Sequence, residues 1–323
     1  MNRSSTSTGL LIAVIAAVSF GTSGAFMKPL LEAGWSPAAA VTFRVLIGGV
    51  VLLPIALVTL RGRWARVWES RWRILAMAGV GVAGTQLVYF AAIQRIPVGT
   101  GILIEYMAPL LLVAAAWVRT RRTPHAVVLI GSVVALVGLV LVVSPGGGGS
   151  LDPLGLFFAL LAMVGCALFY VVSAQPSNGL PPVALAAFGL LLGAGILALA
   201  GVTGLVPFTV RAADVVMLGT LTPWWVPLIV VGIIGTAVAY ASSITASEML
   251  GSRLASFTGL LEVVAATLFA WLLLGENLAL PQLLGGVLIL VGIGFVRSEK
   301  VDATAPVTHK LPPLTPARPG SRS

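Results

Sequence analysis

The sequence predicts an all-α membrane protein: ten transmembrane helices arranged as two inverted five-helix repeats. Three observations carry that prediction. Of 323 residues, 58% are hydrophobic and only 9% charged, with a mean hydropathy of +1.06, whereas soluble domains carry about 25% charged residues. Ten apolar runs of spanning length follow one another, separated by short connectors. Glycine and proline also recur at a fixed offset: Gly21, Pro37 and Gly49 return as Gly165, Pro181 and Gly193, each 144 positions on. Five spans per half is an odd number, so the second half must enter the bilayer inverted. Inverted repeats with a site near the midplane are a recurrent plan of secondary transporters.

The runs cover residues 9–31, 37–60, 74–94, 98–118, 125–144, 154–174, 182–205, 224–247, 252–274 and 279–296. Arg3 followed by an apolar stretch mimics a secretory signal, but nine more runs follow, so the first is read as an uncleaved span. Breakers mark the connectors, among them Ser36-Pro37, Pro145, Pro176-Ser177-Asn178-Gly179 and Pro181-Pro182. The chain is therefore divided into a cytoplasmic N-terminus (1–8), a first repeat (9–144), a Gly-rich external linker (145–153), a second repeat (154–296) and a tail (297–323). Gly146 to Gly149 reads as a flexible hinge, and the basic, Pro-rich tail as disordered and cytoplasmic.

Lysine and arginine set the orientation. With a cytoplasmic N-terminus, one side receives Arg3, Arg61, Arg63, Arg66, Arg71, Arg73, Arg119, Arg121, Arg122, Arg253, Arg297, Lys300, Lys310, Arg318 and Arg322, which is 15; the other receives Arg95 and Arg211, which is 2. Both termini are thus expected in the cytoplasm and the protein in the cytoplasmic membrane.

The formal charge of +9 lies in these connectors and the tail, a distribution that argues against nucleic acid as a partner. Cys166 has no partner for an intrachain disulfide, and His125 and His309 fall outside the spans, so no metal site is assembled. No phosphate-cradling Gly-x-x-x-x-Gly-Lys pattern occurs, and no connector carries paired acids or a His-rich motif. The reading is of a non-enzyme without a cofactor, whose partners are the lipid bilayer, a small-molecule substrate and protons, as a monomer or a homodimer.

Glu105 is the leading site residue. An acid inside a span is costly unless it is neutral, paired or facing a polar cavity, and is therefore a functional position by default. Gly101, Glu105 and Pro109 recur every four residues and share one helical face. Pro109 has no N–H, so the carbonyl of residue 105 loses its helical donor and a polar notch is expected. Glu262 is the second intramembrane acid, with Thr258 and Gly259 a turn earlier; Ala266 stands where a proline would have reproduced the notch. Arg44, inside the second run, is expected to pair with Glu105, to meet a substrate carboxylate, or to snorkel to the interface. Gln86 and Tyr89 in the third run must find partners if buried. Thr236, Tyr240 and Ser243 in the eighth, Ser19, Thr22, Ser23 and Phe26 in the first, and Tyr170 and Ser173 in the sixth form softer polar stripes.

With these residues in place, the chain resembles the EamA-type ten-span branch of the drug/metabolite transporter superfamily over residues 8–297. Ala91-Ala92-Ile93-Gln94-Arg95-Ile96-Pro97-Val98-Gly99-Thr100-Gly101, leading to Glu105 and Pro109-Leu110, is similar to the threonine/homoserine exporter subgroup. Glu262 to Trp271-Leu272-Leu273-Leu274-Gly275-Glu276, followed by Gly285-Gly286, is similar to the second EamA repeat. The chain departs from the family in having Val118-Arg119-Thr120-Arg121-Arg122 in place of a Gly-Glu after the fourth span, and Val263-Val264 where many members carry a proline. The resemblance implies an exporter of an amino acid or related metabolite, proton-linked or facilitated, working by alternating access around a central cavity. Glu105, Glu262, Gln86, Tyr89, Arg44, Tyr240 and Pro109 are then the substrate- and proton-binding residues. Multidrug efflux and a non-transporting membrane scaffold are the rival readings.

Overall fold

The computed structural model describes residues 3–96, 98–121, 123–143, 152–217, 219–274 and 280–298. Residues 144–151, which hold the Gly-rich part of the linker, the Gly275-Glu276 pair and the tail beyond Ser298 lie outside the described residues. Within them, nine helices are long and apolar enough to cross a membrane, and a shorter apolar helix makes the tenth. In chain order they are α1 (Thr6–Glu32), α2 (Pro37–Thr59), α3 (Arg71–Ile93), α4 (Thr100–Thr120), α5 (Ala126–Val142), α6 (Pro153–Ser173), α7 (Pro182–Val202), α8 (Trp225–Leu250), α9 (Ser252–Leu273) and α10 (Leu280–Arg297). The starts follow local chemistry. Ser36 accepts from the Ala39 N–H at 3.3 Å ahead of Pro37, and Asp152 accepts from Leu154 and Gly155 ahead of Pro153. Proline at the first turn has no N–H to leave unsatisfied, and the capping oxygens satisfy the donors that follow.

Packing obeys the pseudo-twofold relation between the halves. α2 lies against α7 and α5 against α10, each pair crossing the relation; α1 packs on α8 and α9, as α6 packs on α3 and α4. The α5–α10 seam is the tightest. A Cβ added at Gly131 would stand 2.8 Å from the Gly292 carbonyl oxygen, and one at Gly138 would stand 2.6 Å from that of Gly285. Only glycine lets the two backbones come so close, the usual device for helix contact in lipid.

Several helices are irregular. α3 is π-helical over Met77–Gly84 and α8 over Ile233–Val238. α4 breaks at Tyr106–Met107, where Met107 N–H bonds back to Ile104 at 3.1 Å. The expected continuous face Gly101–Glu105–Pro109 is thus corrected: the missing Pro109 donor interrupts the helix, so Pro109 is not in helical register with Glu105. α9 breaks too, at Leu260, although no proline follows. There the close approach of the Tyr170 hydroxyl to Gly259 accompanies the break.

The two ends of the bundle are closed differently. At the Trp35 end, Trp35 Nε1–H donates to the Arg211 carbonyl at 2.6 Å, and Ser36 and Thr209 exchange bonds of 3.0 and 2.9 Å. The connector of α7 and α8 also folds a small hairpin, Val215–Met217 with Thr220–Thr222, that periodicity had not suggested. At the opposite end Arg73 turns back into the bundle.

Candidate functional site

Seven helices from both repeats converge on one cavity of about 110 Å³. Its walls are Phe20 (α1), Arg44 (α2), Gly81, Thr85 and Gln86 (α3), Glu105 and Tyr106 (α4), Cys166, Phe169 and Tyr170 (α6), Tyr240 (α8) and Glu262 (α9). The strut helices α5 and α10 contribute nothing to it, and neither does α7.

The chemistry is mixed in sign. Glu105, Glu262 and Arg44 share one wall and act on one another electrostatically, and Tyr106 stands in the same wall. Arg44 makes no ion pair among the described residues, and its Nε is buried without a hydrogen-bond partner. The sequence reading that Arg44 pairs with Glu105 is therefore not met by a direct contact; Arg44 stands in the cavity wall. A buried donor without an acceptor is unfavourable by about 1–3 kcal/mol, so the Arg44 Nε–H would gain from any acceptor that a rearrangement of the wall brings to it.

Aromatic rings form the rest of the wall. Tyr240 meets Phe20 edge-on at 5.1 Å and Phe169 at 5.6 Å, and Phe169 meets Tyr170 at 5.2 Å. Five of the twelve lining residues are aromatic (Phe20, Tyr106, Phe169, Tyr170, Tyr240), although the chain as a whole is only 7% aromatic.

Of the expected site residues, Glu105, Glu262, Arg44, Gln86 and Tyr240 come together. Pro109 and Tyr89 do not line the cavity. Pro109 is buried behind the break it causes, and Tyr89 lies beside Gly101 and the Phe90 ring, 6.0 Å between centroids. Gly101 therefore makes room for α3 rather than for a notch. Ser19 and Thr22 are buried, with Thr22 bonding the Ser19 carbonyl, and Ser23 reaches Gly235; these stripes pack helices together and stay out of the cavity wall.

Thr85, Tyr106, Cys166 and Phe169 are additions. Thr85 had a signal that went unread. Val80-Gly81-x-x-Gly84-Thr85-x-x-x-Tyr89 returns as Val231-Gly232-x-x-Gly235-Thr236-x-x-x-Tyr240. Each threonine hydroxyl donates to the carbonyl five residues back, Thr85 to Val80 at 2.7 Å and Thr236 to Val231 at 3.0 Å. That reach spans the widened π turn in both repeats, and single-turn π segments gather at functional sites.

Beyond the cavity, at the Arg73 end, an ionic clamp crosses the repeats. Arg73 Nη2 meets Glu248 of α8 at 2.9 Å, with the side chains 7% and 19% exposed. Arg73 also donates to the carbonyls of Val172 and Ser173 at 3.0 Å each, capping the end of α6. Arg73 lies eight residues from Gly81 and Glu248 eight from Tyr240, so the clamp stands about 12 Å from the cavity along the same helices.

Comparison with known proteins agrees with this architecture. The EamA-like transporter family matches residues 7–144 and again 153–298. An uncharacterized inner membrane transporter, YicL, of Salmonella typhimurium is 26% identical over 90% of this chain and 95% of its own. An uncharacterized transporter of Archaeoglobus fulgidus is 26% identical over 87% and 93%. A crystal structure superposes with a TM-score of 0.70 at 20% identity, covering 90% of this chain and 96% of that one, a likeness of fold. The chain is a multi-pass membrane protein and belongs to the EamA-like transporter family.

Proposed function

We propose that the protein is a secondary transporter of the cytoplasmic membrane that exports a small zwitterionic metabolite, an amino acid in the first instance, by alternating access. The observation that carries this reading is the convergence of Arg44, whose buried Nε lacks a partner, with Glu105 and Glu262 on one cavity wall. A carboxylate on the cargo satisfies the guanidinium, while its ammonium meets the acids and displaces a proton from Glu105. Tyr106, Gln86 and Tyr240 supply orienting polar groups. With both termini cytoplasmic, the Arg73 end is the inner end, and the clamp to Glu248 is its gate. Tyr89 and Pro109 act through packing and the helix break.

A second reading has a specific observation behind it. The aromatic wall suits a flat organic cation, which points to multidrug efflux. The cavity volume of about 110 Å³ favours the smaller cargo, since pockets for drug-sized ligands run from about 300 to 1,000 Å³.

Counterflow of radiolabelled amino acids in proteoliposomes, with and without an imposed pH gradient, tests the proposal. One compound should exchange in a gradient-dependent manner. Glu105→Gln should remove the pH dependence, and Arg44→Gln should weaken cargo binding by about tenfold or more, the scale of a lost charge-assisted bond. Exchange of cationic dyes with no amino acid transported would establish the second reading instead. Undiminished pH-dependent exchange by Glu105→Gln would remove the coupling role.

A further inference from the structure

The stretch from Arg61 to Arg73 reads Arg-Gly-Arg-Trp-Ala-Arg-Val-Trp-Glu-Ser-Arg-Trp-Arg, unlike any other connector in a chain that is 9% charged. It joins α2 to α3 through the short helix Ala65–Glu69. Its inward side is committed to the protein: Leu60 is fully buried, Ser70 and Arg73 are buried, and Val67 packs on the main core. Its outward side is not. Trp64, Trp68 and Trp72, four residues apart, are 54%, 71% and 69% exposed. The guanidinium of Arg71 sits between two of them, 4.9 Å from the Trp68 ring centre and 5.5 Å from that of Trp72. Arg66 pairs with Glu69 at 3.0 Å in an exposed ion pair, reaches across to the Asn178 carbonyl, and forms, with Glu69, Ser70, Arg73, Gln175 and Asn178, the wall of an open pocket of about 600 Å³.

The place of this strap settles what it meets. It lies between the end of one span and the start of the next, at the level of a bilayer's headgroups. Indole rings favour that zone because one edge is apolar and the other donates a hydrogen bond. Arg61, Arg63, Arg66 and Arg71 stand against one acid, Glu69, leaving three positive charges beside the indoles. Arginine presents a planar fork that matches phosphate oxygens in pairs.

We propose that the Trp–Arg strap is a binding surface for anionic phospholipid. The lipid phosphate displaces Glu69 from its exposed pair with Arg66, a pair that water leaves weak, and is held by Arg66 and Arg71; the three indoles are seated at the boundary of headgroups and acyl chains. Arg71 is two residues from Arg73, so a lipid bound there steadies the start of α3 from which the clamp arises.

Native mass spectrometry of the purified full-length chain, titrated with phosphatidylglycerol or phosphatidylcholine, tests this without any knowledge of the cargo. The wild type should retain the anionic lipid at least about tenfold better, given about fivefold for each basic residue near a charged surface. Arg66→Gln with Arg71→Gln should abolish the preference, and Trp68→Leu should weaken retention of both lipids. Arg119→Gln with Arg121→Gln, in the other basic connector on this side, should leave the preference intact. Equal retention of the two lipids by the wild type, or equal loss in both double variants, would overturn the proposal. So would a strap variant that altered the oligomeric state while leaving lipid retention unchanged, which would make the strap a protein contact. Transport of no amino acid would refute the reading of the central cavity and leave this result untouched.

Discussion

The two ends of the bundle are related by the same pseudo-twofold operation, yet they are fastened by different chemistry. At the Trp35 end the connector of α1 and α2 is tied to that of α7 and α8 by neutral bonds from Trp35 and Ser36, with Trp35 against Trp224 at 5.6 Å. At the Arg73 end the connector of α2 and α3 is tied to that of α6 and α7 and to α8 by a buried ion pair and a guanidinium cap. Neutral bonds contribute about 0.5–1.5 kcal/mol each and open one at a time. A partly buried ion pair is stronger than a neutral bond and depends on both charges, so removal of one partner leaves the other with its carbonyl acceptors alone. The neutral end is held by bonds of similar size; the ionic end concentrates its hold on one guanidinium.

The most direct way to break this asymmetry is Glu248→Ala. It leaves Arg73 with its carbonyl acceptors alone and should cost about 1.5–3 kcal/mol, the scale of a bond between charged groups, seen as a drop in melting temperature. Cys166, the single cysteine of the chain, lines the cavity and makes a second readout. Its alkylation by a membrane-impermeant reagent should accelerate from the Arg73 end alone. If the rate stays unchanged, the clamp is no barrier. The apolar pair Arg73→Met with Glu248→Leu should recover the stability and still slow exchange.

Gly138→Ala sharpens the comparison from outside it. The added Cβ would press on the Gly285 carbonyl at a seam remote from both closures. A loss of about 1–3 kcal/mol is expected from overpacking, with no change in the sidedness of Cys166 alkylation. A sided change would mean that the strut itself moves.

The smallest effect is expected of Trp35→Phe, which deletes the bond to the Arg211 carbonyl and keeps an aromatic ring in place. About 1 kcal/mol should be lost, with a modest rise in alkylation from the Trp35 end. A change as large as that of Glu248→Ala would erase the distinction between the ends.

The fold was legible because bilayer thickness and backbone hydrogen bonding leave few alternatives to apolar helices. The candidate site was legible where a single residue type is costly in lipid: Glu105, Glu262 and Arg44 all line the one cavity. It was illegible where geometry departs from a regular helix. Successive side chains on an α-helix diverge by about 100°, so Tyr106 would ordinarily face away from Glu105; the break after Glu105 brings both into one wall. Arg73 counted as one more basic residue in a connector, because position at the end of a span does not tell which way a long side chain turns. Glu248 escaped notice for the same reason.

The glycine seam of α5 and α10 has a consequence of its own. The operation that carries the first repeat onto the second turns the Gly131–Gly292 contact into the Gly285–Gly138 contact. Such a surface is isologous: each half presents the same patch and receives it back. Two half-length chains threaded through a bilayer in opposite senses would find this joint ready-made, with no residue altered to suit a stranger.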